Sequence, residues 1–489
     1  MWGIQSLLRG FWAPDEARFV YVAGEMAAGG HFFVPFRSGV YYAHKPPLLF
    51  CLMNLAALPF GGQINGFAAR FPSLVGAFLS LYSTSVIATR LGGAKTAWRS
   101  VVILSTSFLF WQVNTMGQQD ALLTGFVMSS IALLFPIRKQ NDFQISKFPN
   151  FQIFFLSGLC MGFGVLLKGP VAFLVPILAL IAIKFASRTK WNFQISKFPN
   201  FLIAVSGILL PPAIWLLGAY LENPPDGYFR EILYDQIFKR AAGNFGHIKP
   251  FWYYLHQFPV DFMPWTLVLP FALWKNRKTG LRVFYSKVRI CYPAAQPVLW
   301  FLAIIVFFSI PVSKRNLYIL AAFPAAAIII ALAWDELRPR ILNRLALYSI
   351  TLFVIGGFTV LPFLDYFKTP VGIRETVAPY LAPDSERKPR LAIVGTNGEI
   401  YALYAGVKGI TFGIQGNREV EDSRGETAAF IKYLRENEHG AAVVGSTFWR
   451  LHGGEITAAF EAKGGFYKVG DLRVGGKRGD KSDKLVLWE

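Results

Sequence analysis

The chain has 489 residues, of which 54% are hydrophobic and only 16% charged, with a mean hydropathy of +0.40. An ordinary soluble protein of this size would be closer to a quarter charged, so that class is excluded. The formal charge of +20 could suit a nucleic-acid binder, but the basic residues cluster between apolar segments, which is the positive-inside pattern of a membrane protein.

The opening MWGIQSLLRGFWAPDEARF lacks an apolar run long enough to insert or to act as a cleavable signal. Beyond residue 66 the hydropathy pattern predicts ten membrane spans: 67–90, 97–115, 119–137, 152–167, 170–187, 202–220, 254–273, 295–312, 316–334 and 343–362. Basic residues follow every odd-numbered span: Arg90, Lys95 and Arg99; Arg138, Lys139 and Lys147; Lys184, Arg188, Lys190 and Lys197; a run from Lys275 to Arg289; and Arg338, Arg340 and Arg344. Those connections are assigned to the cytoplasm. Residues 1–66, the even-numbered connections and the tail then face outward. With both ends outside, ten spans leave residue 1 across the membrane without a helix to carry it: either a first helix precedes the chain, which is the expectation, or the amino terminus is translocated unaided.

The string FQISKFPN occurs at 143–150 and again at 193–200, in two predicted cytoplasmic loops whose flanking helices do not match. A small local duplication accounts for it better than an inverted-repeat transporter, whose symmetry runs through whole bundles. From about residue 385 the composition changes. LAIVG (391–395), AAVVGS (441–446) and KLVLWE (484–489) read as strands, and TAAFIKYLREN (427–437) as an amphipathic helix. The GTNGE turn at 395–399 lacks nucleotide-loop spacing and reads as an ordinary strand-to-helix turn. The expected organisation is an outer-face catalytic loop with juxtamembrane helices over 1–66, a helical membrane domain over 67–365 and a small extracytoplasmic α/β domain over 385–489. The three cysteines, Cys51, Cys160 and Cys291, are scattered and imply no disulfide framework.

The unusual polar residues gather on the outer face. Pro14-Asp15-Glu16-Ala17-Arg18 and Tyr41-Tyr42-Ala43-His44-Lys45-Pro46-Pro47 lie in the first outer segment, and Asp120 at the outer end of the third span. His247, Lys249 and the run Phe251-Trp252-Tyr253-Tyr254 precede the seventh, and Ser313-Lys314-Arg315-Asn316-Leu317-Tyr318 joins the eighth and ninth. Any one of them alone is accounted for equally well by interfacial solvation or a structural ion pair. Carboxylates, histidines and cations together on one face argue for a site. Transfer of a glycosyl group from a lipid phosphate needs such a set: cations for the departing phosphate and a carboxylate for the attacking hydroxyl, at head-group depth.

At these residues the sequence resembles the polyprenyl-phosphate-dependent glycosyltransferases of the GT-C fold, in the branch of the bacterial aminoarabinose transferases and the protein O-mannosyltransferases. PDEAR, YYAHKPP, Asp120, HIKPFWYY and SKRNLY carry the resemblance, which spans roughly residues 8–335. It implies a polytopic α-helical GT-C membrane protein, with its site on the outer face of the bacterial inner membrane. It implies a polyprenyl-phosphate-sugar donor, an envelope acceptor (lipid, glycan or protein), contact with membrane lipids and no nucleic acid. Carried over, Asp15 is the catalytic aspartate, as base for the acceptor or its positioner, and Asp120 a second acid. Arg18, Lys45 and Arg315 meet the donor phosphate, Tyr42 and Tyr318 line its pocket, and Lys249 stands near a place where that family often has arginine. Glu16 supports the loop, and Lys168-Gly169-Pro170 is a helix break. The aminoarabinose branch has a glutamate before the lysine of the KP motif, paired with a downstream histidine as metal ligands; here His44 replaces it and His247 matches the histidine. Two histidines suit a divalent metal such as zinc, with altered coordination.

The expected activity is transfer with inversion, since direct displacement puts the acceptor opposite the leaving phosphate. A lipid-linked sugar transporter or flippase is the competing function, but it would spread its charges along a path through the membrane. A non-catalytic outer-face assembly protein is the third; it would survive loss of Asp15 and Asp120.

Overall fold

The computed structural model describes residues 2–135, 150–186, 198–239, 248–276, 294–370, 372–381, 390–396, 398–412, 414–415, 418–419, 423–464, 467–472 and 482–488. His247, most of both FQISKFPN copies and the loop cations Arg138, Lys139, Lys147, Arg188, Lys190, Lys197, Arg277, Lys278, Arg282, Lys287 and Arg289 lie outside the described residues.

Short elements come first: helix α1 (Trp2–Gln5), helix α2 (Asp15–Gly29), a hairpin of β1 (Phe36–Arg37) and β2 (Val40–Tyr41), and helix α3 (Leu48–Ala57). α2 opens with two acids where the helix dipole favours negative charge. α3 buries Leu49, Phe50 and Met53 while Leu55 and the following Leu58 and Phe60 stay exposed. At ten residues it is half the length a membrane crossing needs, so it suits the membrane edge.

The long element α4 (Gly66–Ser105) is capped by Asn65, whose side chain accepts from the backbone N–H of Phe67 and Ala68. It is two helices joined at Gly93, where φ is +80°. Contacts show the chain running out and back across this kink. Ser73 donates to the carbonyl of Gln118, Arg90 reaches the carbonyls of Ala132 and Phe135 at the other end, and Thr115 has returned to Arg9. The predicted span 97–115 is interrupted at 106–107, and α5 (Phe108–Asn114) completes it. α6 (Gln119–Leu134), α7 (Asn150–Lys168), α8 (Val171–Ala186) and α9 (Phe198–Leu221) follow, with Gly169 at φ +71° making the break between α7 and α8. After a π-helical segment Arg230–Lys239, the predicted span 254–273 is broken as well. α10 (Tyr253–Asp261) stops at a turn containing Pro264, and α11 resumes only over 269–276. α12 (Ala295–Ser309) leads to a 3-10 segment, Asn316–Ala322, that passes into α13 (Phe323–Ala333), and α14 (Pro339–Lys368) closes the bundle.

Among the described residues, five helical stretches are long and apolar enough to cross a membrane. α13 is apolar all round, and Ile328, Ile329 and Ile330 are fully buried, which places it at the bundle centre. α14 instead exposes Leu347, Leu352, Ile355 and Phe363, a surface that lipid would cover. Small residues let helices approach where no water drives them together. A Cβ at Gly76 would lie 2.4 Å from the Ala121 carbonyl carbon, and one at Gly158 would lie 2.1 Å from the Ala204 carbonyl oxygen. α4 thus crosses α6, and α7 crosses α9, backbone to backbone.

After α15 (Ile373–Val377) comes the C-terminal α/β domain: β3 (Arg390–Val394), α16 (Glu399–Ala405), β4 (Lys408–Phe412), the two-residue pair β5 (Ile414–Gln415) and β6 (Arg418–Glu419), α17 (Ser423–Glu436), β7 (Gly440–Val444), α18 (Ser446–Lys463), β8 (Tyr467–Leu472) and β9 (Asp483–Trp488). Its sheet has the order β4-β3-β7-β9-β8, with β3 parallel to β4 and β7, and β9 antiparallel to β7 and β8. Strand alternation separates two cores. Ala392, Val394, Ala442, Val444 and Val486 pack under α17 and α18. Leu391, Ile393, Ala441, Val443 and Leu485 pack on α15, α16 and, notably, Ala17 and Tyr21 of α2. The domain is therefore docked on the helix that carries the PDEAR motif.

Candidate active site

Asp15 and Glu16 are neighbours on α2 but face about 100° apart around the helix axis, and their surroundings differ accordingly. Glu16 points inward, with its side chain 1% exposed. It accepts from the N–H of Trp12 (3.0 Å) and of Gly117 (2.7 Å), and from Arg70 Nε (2.7 Å) and Nη2 (3.1 Å). Arg9 lies 3.5 Å away. Arg70 is wholly buried and also donates to the carbonyls of Ser6, Arg9 and Gly10. Burial works against the charge on Glu16, but Arg70 and then Arg9 outweigh it and bring its carboxyl down to about 2. Glu16 thereby ties the segment before α2 to α4 and to the turn before α6.

Asp15 is less enclosed, and its side chain is 12% exposed. One oxygen pairs with Arg18 Nη2, one turn along α2, and the other with Arg315 Nη2 at 2.9 Å. Burial again opposes ionisation, yet Arg18, Arg315 and Lys45 hold the Asp15 carboxyl below the usual carboxylate range. Arg315 is set by its backbone, whose carbonyl accepts from Tyr254 Oη at 3.0 Å. Lys249 enters through its main chain: its N–H donates to Val312 O (3.1 Å), and its carbonyl accepts from Lys314 Nζ (3.2 Å). Its side chain is exposed.

Asp120 pairs with Lys168, whose Nζ stands 4.3 Å above the Tyr318 ring. The charge of Asp120 also acts on Arg315. Lys45 Nζ is 2.9 Å from the side-chain oxygen of Gln119, with that amide oriented to satisfy both its atoms. Tyr42 is buried, within electrostatic reach of Arg18, Arg37 and Asp15. The fold thus assembles Asp15, Arg18, Tyr42, Lys45, Asp120, Arg315 and Tyr318, drawn from four stretches of chain.

His44 packs its ring 5.2 Å from that of Tyr42, and its expected partner, His247, lies outside the described residues. Among the described residues, no three His, Cys, Asp or Glu side chains are placed to hold a metal ion.

Sequence reasoning missed two participants. Lys168 reads as part of a helix break but delivers its ammonium to Asp120; a lysine at the end of an apolar helix is itself a signal, since such a charge is costly without a partner. Glu399, in the turn read as ordinary, forms a buried ion pair with Arg37 of β1. No local signal in the sequence joins residues so far apart.

Residues 44–215 match the family of dolichyl-phosphate-mannose-protein mannosyltransferases. An undecaprenyl phosphate-alpha-4-amino-4-deoxy-L-arabinose arabinosyl transferase of Aeromonas hydrophila is 28% identical over 335 residues, 68% of this chain and 57% of that protein. Its counterpart in Edwardsiella ictaluri is 30% identical over 65% of this chain and 55% of its own length. The chain thus spans little more than half the length of these curated relatives. Among solved structures, ArnT from Cupriavidus metallidurans bound to undecaprenyl phosphate superimposes with a TM-score of 0.74 at 19% identity, covering 100% of this chain and 95% of that one. The archaeal oligosaccharyltransferase AglB from Archaeoglobus fulgidus gives a TM-score of 0.51 at 12% identity, over 91% of this chain and 68% of its own. In fold the chain is a polytopic GT-C membrane protein with a C-terminal α/β domain, and in sequence it is similar to glycosyltransferases of the aminoarabinose-transferase and protein-mannosyltransferase type.

Proposed function

We propose that this chain is an integral-membrane glycosyltransferase that moves a sugar from a polyprenyl-phosphate donor to an acceptor of the cell envelope. The site faces outward from the bacterial inner membrane. The observation that carries the reading is Asp15 held between Arg18 and Arg315, with Lys45 acting on it electrostatically and the Asp120–Lys168 pair beside it. The relatives named above are transferases named for an undecaprenyl phosphate-linked sugar; none of them supports the flippase alternative.

The chemistry follows from the charges. A phosphodiester-linked sugar carries negative charge on the phosphate, and Arg18, Lys45 and Arg315 offer the cations to bind it. The acceptor oxygen forms its bond to the anomeric carbon as the bond from that carbon to the phosphate oxygen breaks. The electron pair leaves on the phosphate, and the configuration inverts. As it stands, paired with two arginines, Asp15 is a weak proton acceptor and better suited to orient the acceptor hydroxyl. A donor phosphate drawing on Arg315 would remove part of that pairing and raise the basicity of Asp15 when the proton must leave. Binding of the donor and activation of the acceptor are then coupled through one arginine.

The test is turnover of polyprenyl-phosphate-sugar in membranes holding the protein, followed as release of free polyprenyl phosphate by mass spectrometry. Asp15→Asn at equal expression should lower release at least a hundredfold, in the range seen for loss of a general base. Equal release from both proteins would remove Asp15 from the mechanism.

A further inference from the structure

The C-terminal domain has no part in the chemistry derived above, yet it meets the catalytic segment at several buried points. Glu399, at the start of α16, is 2% exposed and pairs with Arg37, itself 7% exposed. Arg37 is the last residue of β1, and its register partner is Val40 of β2. β2 leads directly into Tyr42, His44 and Lys45. A second connection runs beside the first. The N–H of Gly409 on β4 donates to Tyr21 Oη (2.8 Å), and that hydroxyl donates to Glu25 (3.0 Å), which accepts in turn from the N–H of Gly39 in the hairpin turn (3.4 Å). A third joins Tyr404 of α16 to the N–H of Phe11 at 2.9 Å, just before α2. The apolar side of the same interface is formed by Ala17 and Tyr21 packed on Ile393, Ile400 and Tyr401.

A series of charged side chains therefore runs from the domain into the site: Glu399 to Arg37, past the buried Tyr42 hydroxyl, which lies within reach of both Arg37 and Arg18, and from Arg18 to Asp15 and Arg315. A two-stranded hairpin with two residues per strand has little stability of its own. Its position is set by what pins it. The buried pair at Arg37 and the Gly39 contact hold both its turn and its first strand, and the residues that follow its second strand are those assigned to the donor phosphate.

We propose that Glu399 is a positioning residue for the donor-phosphate site: through Arg37 it fixes the hairpin that delivers Tyr42 and Lys45, so the C-terminal domain sets the geometry of the phosphate pocket. The inference rests on the phosphate-binding part of the proposed function and not on transfer itself. A carboxylate at 399 is required; a neutral isostere removes the charge that Arg37 follows and leaves that guanidinium buried without its ion pair.

The experiment uses the full chain in detergent and reads affinity for undecaprenyl monophosphate, beside turnover of the sugar-linked donor. Glu399→Gln is expected to weaken undecaprenyl monophosphate binding at least fivefold, Glu399→Asp to recover most of it, and Lys432→Ala, on an exposed face of the same domain, to change nothing. Because one substitution can unfold the interface, the double variant Arg37→Met/Glu399→Met removes both charges of the pair together. It is expected to restore thermal stability while affinity stays weak. Wild-type affinity in Glu399→Gln, or recovery of affinity together with stability in the double variant, overturns the proposal. A wild type that binds the lipid phosphate with this pattern but transfers no sugar sinks the transferase reading and leaves the positioning role supported. A wild type that does not bind it overturns both.

Discussion

Replacing Glu16 with Gln tests the account of the loop that carries Asp15. Glu16 accepts four hydrogen bonds, two at each oxygen: Gly117 N–H and Arg70 Nε at one, Trp12 N–H and Arg70 Nη2 at the other. A glutamine offers one oxygen; its amide nitrogen would face two donors, and Arg70 would be left buried without a counter-charge. Two routes give the size of the loss. Breaking a buried ion pair on one side costs about 3–5 kcal/mol. Independently, a carboxyl brought from 4.5 to about 2 corresponds to about 3 kcal/mol of linked stability. Because the folded-state value is depressed, this contribution is fully present above pH 4.5 and is lost as pH falls toward 2. The difference between wild type and Glu16→Gln should thus be about 3 kcal/mol at pH 7, near a hundredfold in the folding ratio, and should vanish near pH 2. Unfolding by sodium dodecyl sulfate titration at pH 7, with thermal midpoints between pH 7 and 2, reads both quantities. A loss under about 0.5 kcal/mol at pH 7, or one independent of pH, would refute the ion-pair argument.

Two further outcomes follow from particular contacts. Gly76→Ala places a methyl group against the Ala121–Leu122 backbone of α6 and should cost about 1–3 kcal/mol. Gly356→Ala on α14, where a Cβ meets nothing within 4 Å, should be neutral or stabilising by up to about 1 kcal/mol; thermal midpoints of the two variants should move in opposite directions or differ clearly. We also propose that His44 and His247 contribute to a divalent-metal site, which requires near-stoichiometric zinc by elemental analysis of chelator-washed protein and its loss in His44→Ala; metal well below one ion per ten chains would remove that role.

Hydropathy and the spacing of cations made the membrane class and the clustering of polar residues legible without coordinates, because burial in lipid constrains every residue of a span and the constraint repeats along the sequence. The strands 390–394, 440–444 and 483–488 were legible for the same reason: runs of apolar residues buried on both faces of a sheet look alike wherever they occur. What depends on single contacts was not. The break at 106–107 has no proline to mark it, and the one at 262–264, which contains Pro264, packs against it, with Phe108 N–H bonded to Met263 O and Trp265 Nε1–H to Thr106 Oγ1. Lys168 reads as a helix end until α7 carries it to Asp120, and Glu399 as part of a loop until the domain's fold sets it on Arg37. Composition and periodicity determine which residues lie in lipid, in a core or at a surface. Which carboxylate meets which distant guanidinium, as Glu399 meets Arg37 and Asp15 meets Arg315, is decided across hundreds of residues, and such a buried pair forms only when tertiary packing has brought both charges out of water together.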